Sequence, residues 1–296
     1  MTAIENRHEF VFLFDIVNGN PNGDPDSGNM PRQDTESQKG LVTDVALKRK
    51  IRNYVDLKDL PERDGQKFAI YMQERAILNQ KHGEAYKAVG IAPDTKGKRL
   101  PKDEAKAREI TRWMCANYYD IRCFGAVMTT EVNAGQVRGP VQLGFATSID
   151  PVIAQEITIT RSSVTNEKDA DKERTMGRKY IVPYGLYRCH GFVSANLAGD
   201  ATKGTGFSQA DLDLLFEALV NMFEHDRSAA RMEMNAQRLI VFRHASKLGE
   251  APAQKLFERV AVARKADVKL PRAFKDYEVT IDRDGLPAGV EIIEKL

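Results

Sequence analysis

The chain begins with an apolar run that changes abruptly into a loop pattern. Residues Phe10 to Val17 carry one charged side chain, Asp15, and a short apolar run bounded by turn residues is typical of a buried strand. The next segment is dense in Gly, Asn, Asp and Pro, which favours an irregular loop. A short helix is then predicted from Thr43 to Tyr54, because Thr43 or Asp44 can cap the free amides at its start.

The later pattern predicts further strands and helices around a long insertion. Asp56 to Asn117 is highly charged and helix-prone, which indicates a helical insertion outside the core. The later helices are predicted to begin at Ser208 and to run from Ala253 to Lys265. The predicted strands are Tyr119 to Val127, Val137 to Ile149, Gln155 to Arg161, Tyr180 to Asn196 and Arg238 to His244, followed by a hairpin of Tyr277 to Ile281 with Val290 to Ile293 about Asp284 and Gly285.

The order β, α, insertion, β, β, α, β predicts an α+β fold of the ferredoxin-like or RNA-recognition-motif type. The aromatic base-stacking signature of that motif is absent in clear form, so any RNA contact is expected at the backbone. The predicted core strands are Phe10 to Val17, Gln155 to Arg161, Tyr184 to Val193 and Leu239 to Arg243, with helices Thr43 to Tyr54 and Ser208 to His225.

Composition limits the kinds of site that the chain can form. Its 296 residues suit one elaborated domain or two small ones, and 44 basic against 42 acidic residues give a net charge of +2. Any polyanion site must therefore come from local clustering of cations. Without an apolar stretch of membrane-spanning length or a signal-peptide pattern, the chain is expected to be soluble and cytoplasmic. Its three cysteines lack a CxxC pair and are expected to be reduced thiols.

The first predicted helix carries a cluster of cations next to the polar loop. Lys48, Arg49 and Arg52 lie close in sequence, and Lys48 and Arg52 share one helical face at i and i+4. Loop amides and nearby cations together suit the phosphates of a polyanion. An amphipathic helix with its cations in water is an equally simple interpretation of the same spacing.

A polar segment from Ser162 to Lys179 separates two predicted strands and has few large apolar residues. Met176 lies among cations, which suggests an apolar wedge beside phosphate-binding groups, although a surface loop explains the composition as well. Arg122 and Arg138 interrupt apolar segments, where each needs a phosphate or an internal carboxylate partner.

Catalytic schemes find weaker support. Carboxylates in or beside the polar loop could hold Mg²⁺ for phosphodiester hydrolysis, but Asp next to Gly and Pro is an ordinary turn former. Cys189 and His190 are adjacent on a predicted strand and should point to opposite faces. GNPNG lacks the end of a phosphate-binding P-loop, and no zinc spacing is present, so no cofactor is expected. The carboxylates in question are Asp15, Asp24, Asp26 and Asp34.

Several segments resemble one known family over nearly the whole chain. They are HEFVFLFDIVNGNPNGDPDSGNMPR, LVTDVALKRKIRNYV, VRGPVQLGFATSIDP, TITR, TMGRKYIVPYGLYRCHGFVSAN and EHDRSAARMEMNAQRLIVFRH. Together they resemble the repeating backbone subunit of type I CRISPR surveillance complexes (Cascade), closest to the type I-C branch.

The resemblance implies a right-hand shape. A palm like the RNA-recognition motif would comprise residues 1–55, 118–161 and 180–296, with a helical finger at 56–117 and a protruding thumb hairpin at 162–179. Copies would stack into a helical filament along one CRISPR RNA, and each thumb would fold across the RNA held by its neighbour. The guide would then pair with target DNA in antiviral defence, alongside other Cascade subunits and without catalysis by this chain.

The resemblance also implies which residues contact the RNA. Family members bind phosphates at the start of the first palm helix and through the loop before it, while the thumb supplies a wedge. Lesser candidates are arginines that could equally close salt bridges. The implied residues are Asn18, Asn20, Asn22, Thr43, Lys48, Arg49 and Arg52, the thumb residues Arg174, Met176, Arg178 and Lys179, and the lesser candidates Arg122, Arg138, Arg161 and Arg227.

Two alternatives to the filament subunit remain at this point. One is a metal-dependent RNase like the related backbone subunits of type III complexes, which cut target RNA with an aspartate in a comparable loop. The other is a general single-stranded RNA-binding module that works as a monomer.

Overall fold

The apolar run near the N-terminus forms the central strand of a large antiparallel sheet. The computed structural model describes residues 2–171 and 176–296. In these ranges the strands are β1 (His8–Gly19), β2 (Gly23–Asp24), β3 (Met30–Pro31), β4 (Lys39–Val42), β5 (Gly125–Thr129), β6 (Asn133–Arg138), β7 (Val141–Leu143), β8 (Ala146–Pro151), β9 (Gln155–Thr160), β10 (Met176–Val193), β11 (Glu233–His244), β12 (Val260–Arg264), β13 (Tyr277–Ile281) and β14 (Val290–Glu294). The α-helices are α1 (Asp44–Lys58), α2 (Leu78–Val89), α3 (Glu104–Asn117), α4 (Tyr119–Phe124), α5 (Ala195–Gly199), α6 (Gln209–Asn221) and α7 (Ala253–Phe257).

The main sheet has the strand order β14-β11-β1-β10-β8-β4, and its neighbouring strands pair antiparallel. Strand β1 pairs with β10 on one side and with β11 on the other, in registers that place His8 opposite both Val193 and Arg243. Strands β7 and β9 also pair with β10, outside that path. The long strand β10 therefore links the sheet to the structure beyond it.

Alternating side chains of β1 divide the core into two halves. Phe12 and Phe14 lie in the larger half, together with buried residues of α1 and α6. Val11 and Leu13 point the other way, into a second cluster with α7, β12 and β13. Because both faces of the sheet are covered, the run Phe10 to Val17 of β1 is apolar on both faces except at Asp15.

Two helices, α2 and α3, lie in the predicted insertion from Asp56 to Asn117. Helices α2 and α3 pack together, and with the β5–β6 hairpin they enclose a small core of their own. Tyr86 and Met114 come from the helices, while Met128 and Ala134 come from the hairpin. This core thus extends past Asn117, and the division into palm, finger and thumb stays a prediction.

A fully buried ion pair joins the insertion to α6. The Arg122 guanidinium binds Asp211 through Nη2 at 2.8 Å and through Nε at 3.0 Å. Its Nη1 donates to the carbonyls of Cys115 at 2.8 Å and Lys67 at 3.1 Å. Asp211 also accepts from the Ser208 amide in the capping box of α6, so one carboxylate serves both the helix start and the arginine.

A two-stranded ribbon extends from the main sheet. Among the described residues, strand β9 pairs with the first part of β10 and with no other strand, from Met176 opposite Thr160 to Ile181 opposite Gln155. Every residue of β9 is exposed. Since isolated two-stranded ribbons are marginally stable in water, this ribbon gains little stability from its own packing.

The predicted strand from Tyr119 to Val127 is wrong in its first part. Residues Tyr119 to Phe124 form α4, which ends at Gly125 with a positive φ of 78°, and only then does β5 begin. All six residues of α4 are buried. A helix covered on every side shows no apolar stripe at helical spacing, so the pattern could not distinguish it from a strand.

Two predictions near the C-terminus are also wrong. The helix that begins at Ala253 ends at Phe257, and Val260 to Arg264 form β12. The predicted hairpin does not form: β13 pairs with β12, whereas β14 pairs with β11 of the main sheet. The Asp284–Gly285 turn is present, and the Arg259 guanidinium binds its carbonyls at 2.7 and 2.8 Å. After this turn the chain enters the main sheet as β14 and does not pair back with β13.

Two further strand predictions need correction. Val137 to Ile149 is not one strand, since β6, β7 and β8 divide it at Gly139, Pro140 and Gly144. Gln155 to Arg161 is a strand, but it lies in the ribbon and not in the core of the sheet, where β8 pairs with β10 instead.

All three cysteines are free and buried. Burial raises the pKa of the Cys115 and Cys189 thiols to about 12 and holds the pKa of Cys123 well above its usual value. We expect a thiol reagent such as DTNB to label the native protein at least 100-fold more slowly than the urea-unfolded protein, because the thiolate is the reactive form. Rapid labelling of the native chain would contradict this.

None of the helices in the described ranges combines the length and the apolar character that a membrane span requires.

Candidate nucleic-acid interface

The polar loop after β1 is tied to the start of α1. The Asn22 side-chain oxygen accepts hydrogen bonds from both the amide and the hydroxyl of Thr43, each at 3.0 Å. The Thr43 hydroxyl in turn accepts from the Ala46 amide at 3.3 Å, which confirms the predicted cap. The loop and the helix start therefore form one surface, as their order in the sequence predicts.

The other two asparagines of the loop differ in exposure. Asn18 is exposed and has a positive φ of 47°, which Asn tolerates better than most residues. Asn20 is buried, and its amide and side chain donate to the carbonyls of Ala230 and Asn29, each at 2.7 Å. Asn20 thus holds the loop in place, whereas the Asn18 side chain is open to a ligand.

Each of the three predicted α1 cations has a carboxylate partner. Lys48 pairs with Asp44 and Arg52 with Asp120, both at 2.8 Å, while Arg49 meets Glu74 at 3.3 Å. The Lys48 and Arg52 side chains are 15% and 14% exposed, against 65% for Arg49. Arg49 is the α1 cation that can turn to an external phosphate most freely, because exposed ion pairs are weak.

Lys48 and Arg52 share the ring of Phe124 beneath them. The Lys48 Nζ lies 5.5 Å from the ring centroid and the Arg52 guanidinium carbon 5.3 Å, within the range of cation–π contacts. Asp120 also accepts from the Tyr71 amide at 2.7 Å, so Arg52 supports the insertion as well as the surface. These two cations are consequently held in place before any ligand binds.

Sequence reasoning missed the part played by Lys50. This residue faces inward with Leu47 and Ile51, and its Nζ forms an ion pair with Asp226, which also binds Arg231 at 3.0 Å. Burial lowers the pKa of Lys50, and the Asp226 carboxylate acts against that shift. The helical spacing of Leu47, Lys50 and Ile51 could have indicated that Lys50 faces inward. Its carboxylate partner, Asp226, could not have been identified in this way because it lies 176 residues away in the sequence.

The loop after α6, residues 222–232, brings several candidates together. Lys179 at the base of the ribbon donates to the Ala229 carbonyl, and Asn20 meets the neighbouring Ala230. Arg227 in the same loop pairs with Glu224 at 2.5 Å and donates to the Met232 carbonyl at 2.7 Å. The polar loop, α1, the 222–232 loop and the ribbon base thus form one surface, called here the α1 surface.

The remaining thumb candidates lie along the ribbon. Met176 is exposed, and 69% of its surface is accessible to solvent. Arg178 pairs across the ribbon with Glu156 at 3.1 Å, and Arg161 donates to the Thr165 hydroxyl at 3.0 Å. Arg174 lies outside the described residues. An exposed methionine next to cations fits the predicted wedge, and its contact with RNA stays a prediction.

The two arginines that interrupt apolar segments have opposite environments. Arg122 is fully buried in its pair with Asp211, so the internal carboxylate explains it and no external phosphate can reach it. Arg138 is exposed at the end of β6 and, among the described residues, makes no ion pair.

The acidic residues that could hold a metal do not form a cluster. Asp15 lies in β1, where it accepts from Tyr184 at 3.1 Å and Asn235 at 3.2 Å, and burial raises its pKa. Asp34 accepts from the amides of its own turn, chiefly that of Glu36, which lowers its pKa. In the described ranges, no group of three His, Cys, Asp or Glu residues has metal-binding geometry. Asp24 pairs with Arg32 at 3.4 Å, and Asp26 is exposed.

Cys189 and His190 lie on opposite faces of β10, as strand alternation predicts. Cys189 belongs to the larger core. The His190 ring stacks on Phe257 with centroids 4.0 Å apart, on the other side of the sheet. A thiol–imidazole pair is therefore excluded by the direction of the two side chains.

Comparison with known proteins identifies related sequences. The sequence model of a family described as CRISPR-associated protein Cas7 matches residues 6–282. A protein of Haloferax volcanii named CRISPR-associated protein Cas7 is 27% identical over 234 residues, which is 73% of this chain. The match spans 63% of the length of that relative.

Solved structures with a similar course of the chain were also found. A chain of a "CRISPR RNA-guided surveillance complex, pre-nicking" is 14% identical with a TM-score of 0.49, and the match covers 80% of this chain and 78% of that one. A chain of the "Type III-B Cmr-beta bound to cognate target RNA" is 10% identical with a TM-score of 0.42, covering 80% of this chain and 61% of that one.

Proposed function

The chain belongs to the family of CRISPR-associated protein Cas7, and on that premise we propose that it is the repeating backbone subunit of a type I-C CRISPR surveillance complex. It polymerises along the CRISPR RNA in the cytoplasm and binds the sugar-phosphate backbone independently of sequence. Neighbouring copies and the other subunits complete the complex. The spacer is left exposed to pair with target DNA, and the chain itself does not cut nucleic acid.

The observation that carries this proposal is the α1 surface. Loop, helix and ribbon base are tied together by the Asn22–Thr43, Lys50–Asp226 and Lys179–Ala229 contacts, so their exposed groups are positioned before RNA arrives. Asn18, Arg49 and Arg227 present polar and cationic groups around this frame. Fixed polar groups of this kind suit phosphates and sugars, which carry no sequence information.

The structure of the sheet favours RNA binding through the sugar-phosphate backbone over binding through the bases. The strand order β11-β1-β10-β8, with α1 and α6 packed on one face, is compatible with a ferredoxin-like palm in which β8 takes the place predicted for Gln155 to Arg161. The opposite face, where RNA-recognition motifs stack bases on aromatic side chains, is covered here by α7, β12 and β13. A guide of any sequence can therefore lie on the α1 side without being selected by base contacts.

The environments of the acidic residues favour a non-catalytic subunit over an RNase. Asp15 and Asp34 are hydrogen-bonded within the protein, and Asp24 pairs with Arg32. A metal-dependent RNase of the type III backbone class would need such carboxylates to converge on one metal ion. A monomeric RNA-binding module remains the rival that differs in stoichiometry.

Native mass spectrometry with single-stranded RNAs of increasing length tests the proposal. We expect whole copies to add stepwise as the RNA lengthens, with the same stoichiometry for unrelated base sequences. The Arg49→Glu/Arg227→Glu variant should bind at least tenfold more weakly, because charge-assisted contacts are worth about 1.5–3 kcal/mol each.

The matched control is Lys255→Glu/Lys269→Glu, which changes the net charge equally on the α7 and β12 side of the sheet. It should bind nearly as well as the wild type at 150 mM salt, where distant charges are screened. A stoichiometry that stays at one copy would favour the monomeric module. Metal-dependent cleavage of the bound RNA, lost in Asp34→Ala or Asp24→Ala, would favour the RNase.

A further inference from the structure

A second cationic surface lies in a groove between the insertion and the main sheet. The groove has a volume of about 930 Å³ and runs between α3, the β5–β6 hairpin and the turn at residues 202–204. A volume of this size accommodates a whole organic group, not just a single ion. The groove contains four cations and no carboxylate side chain among its lining residues; the cations are Arg108, Arg112, Arg138 and Lys203.

The charges in this groove are less compensated than those on α1. Among the described residues, Arg138, Arg112 and Lys203 form no ion pair, and Arg112 has the Ala201 carbonyl as a partner at 3.2 Å. Arg108 meets Glu104 at 3.7 Å in an exposed pair. Every predicted α1 cation, by contrast, has a carboxylate within 3.3 Å. Arg112 and Arg138 therefore have no carboxylate partner among the described residues, whereas Lys203 interacts with the nearby Asp200 carboxylate, and the groove lining keeps an excess of positive charge.

The walls of the groove combine backbone with apolar side chains. Gly125, Gly135 and Gly139 line it, and Gly125 and Gly139 pack backbone against backbone, where a side chain on either would clash. Gly125 and Gly135 have positive φ values of 78° and 89°. Exposed Val127 and half-buried Leu100 add apolar surface on either side of the glycines. A groove lined by cations suits the phosphates along the backbone of a nucleic-acid strand.

Phe124 connects the groove to the α1 surface. Its ring lines the groove and also lies beneath Lys48 and Arg52, 5.5 Å and 5.3 Å from their charged groups. The two cationic surfaces therefore lie on either side of one buried ring.

We propose that this groove holds the phosphodiester backbone of a nucleic-acid strand, with Arg138 and Lys203 as its phosphate contacts. The inference rests on the proposed RNA-binding function and adds a second nucleic-acid binding site to each copy. The strand is either the guide RNA itself or the strand that pairs with the guide, since both offer the same phosphates.

The test compares Arg138→Ala/Lys203→Ala with the control Lys255→Ala/Lys269→Ala and the wild type. Binding is measured by fluorescence anisotropy at several salt concentrations on an RNA that the wild type loads once. If the groove seats the guide, affinity falls about tenfold for each lost contact. The slope of log K against log salt then falls by about 0.7 for each phosphate released, or about 1.4 in total.

A second arm uses RNA already loaded with wild-type or variant protein and adds a complementary DNA strand. If the groove binds the strand that pairs with the guide, the Arg138→Ala/Lys203→Ala variant binds RNA as well as the wild type does. Its affinity for the complementary DNA strand is then lower by about tenfold or more. The proposal is overturned if the groove variant matches the control in both arms. Failure of the wild type to bind RNA at all would instead reject the proposed function, so the two failures are distinct.

Discussion

Replacing Arg122 with methionine is expected to lower the free energy of unfolding by about 3–5 kcal/mol, because it leaves Asp211 charged, buried and without its partner. The substitution also removes the donors to the Cys115 and Lys67 carbonyls. The loss should appear as a lower midpoint in urea, and RNA binding of the remaining folded protein should be unchanged because Arg122 is fully buried.

Two further variants test whether the loss of stability in Arg122→Met comes from the unpaired buried charge or from lost packing. Arg108→Met breaks an exposed pair with Glu104 in the same insertion and should cost less than about 1 kcal/mol. Arg122→Met/Asp211→Asn removes both charges while keeping an oxygen that can accept from Ser208, so it should recover part of the loss. If Arg122→Met were no more destabilising than Arg108→Met, the buried pair would not be what holds the insertion to α6.

Removal of the ribbon is expected to abolish orderly addition of copies while leaving the fold intact. Ile157 and Lys179 are paired in register, so an Asn-Gly turn can join them in place of residues 158–178. Because β9 is exposed along its length, the free energy of unfolding should change by less than about 1 kcal/mol. Affinity of one copy for a short RNA should stay within about tenfold, whereas cooperative binding of adjacent copies should fall about 100-fold.

The control for this deletion is Glu167→Gln/Lys168→Gln, which keeps the ribbon and its net charge. Both variants can be followed by native mass on an RNA long enough for several wild-type copies. The control should load like the wild type, and the deletion should load singly and at random positions. Stepwise, cooperative loading of the deletion variant would show that the ribbon does not reach the neighbouring copy.

The sequence was most informative where a local pattern determined the structure. The apolar run of β1, the Thr43 cap and the Ser208 cap each depend on residues within a few positions, and each is confirmed. Errors arose where burial was complete or pairing was distant. Helix α4 is buried on all sides, and the partner of β14 is β11 instead of the nearer β13.

The candidate site was predicted in part for the same reason. The α1 cations cluster in sequence, so their proximity could be inferred, but their carboxylates at Glu74 and Asp120 could not. The groove cations Arg112, Arg138 and Lys203 are spread over about ninety residues and meet only in the folded chain. Of the three, the sequence singled out Arg138 alone, and no short motif indicated Arg112 or Lys203.

The central position of β1 has a consequence for synthesis of the chain. Its partner strands β10 and β11 are encoded more than 150 and 200 residues later. At about 5–20 residues per second, this central strand waits roughly 10–50 s on the ribosome without its second neighbour. A nascent chain of this kind has high contact order and exposes an aggregation-prone segment early. We therefore expect the strand order to slow the folding of this chain.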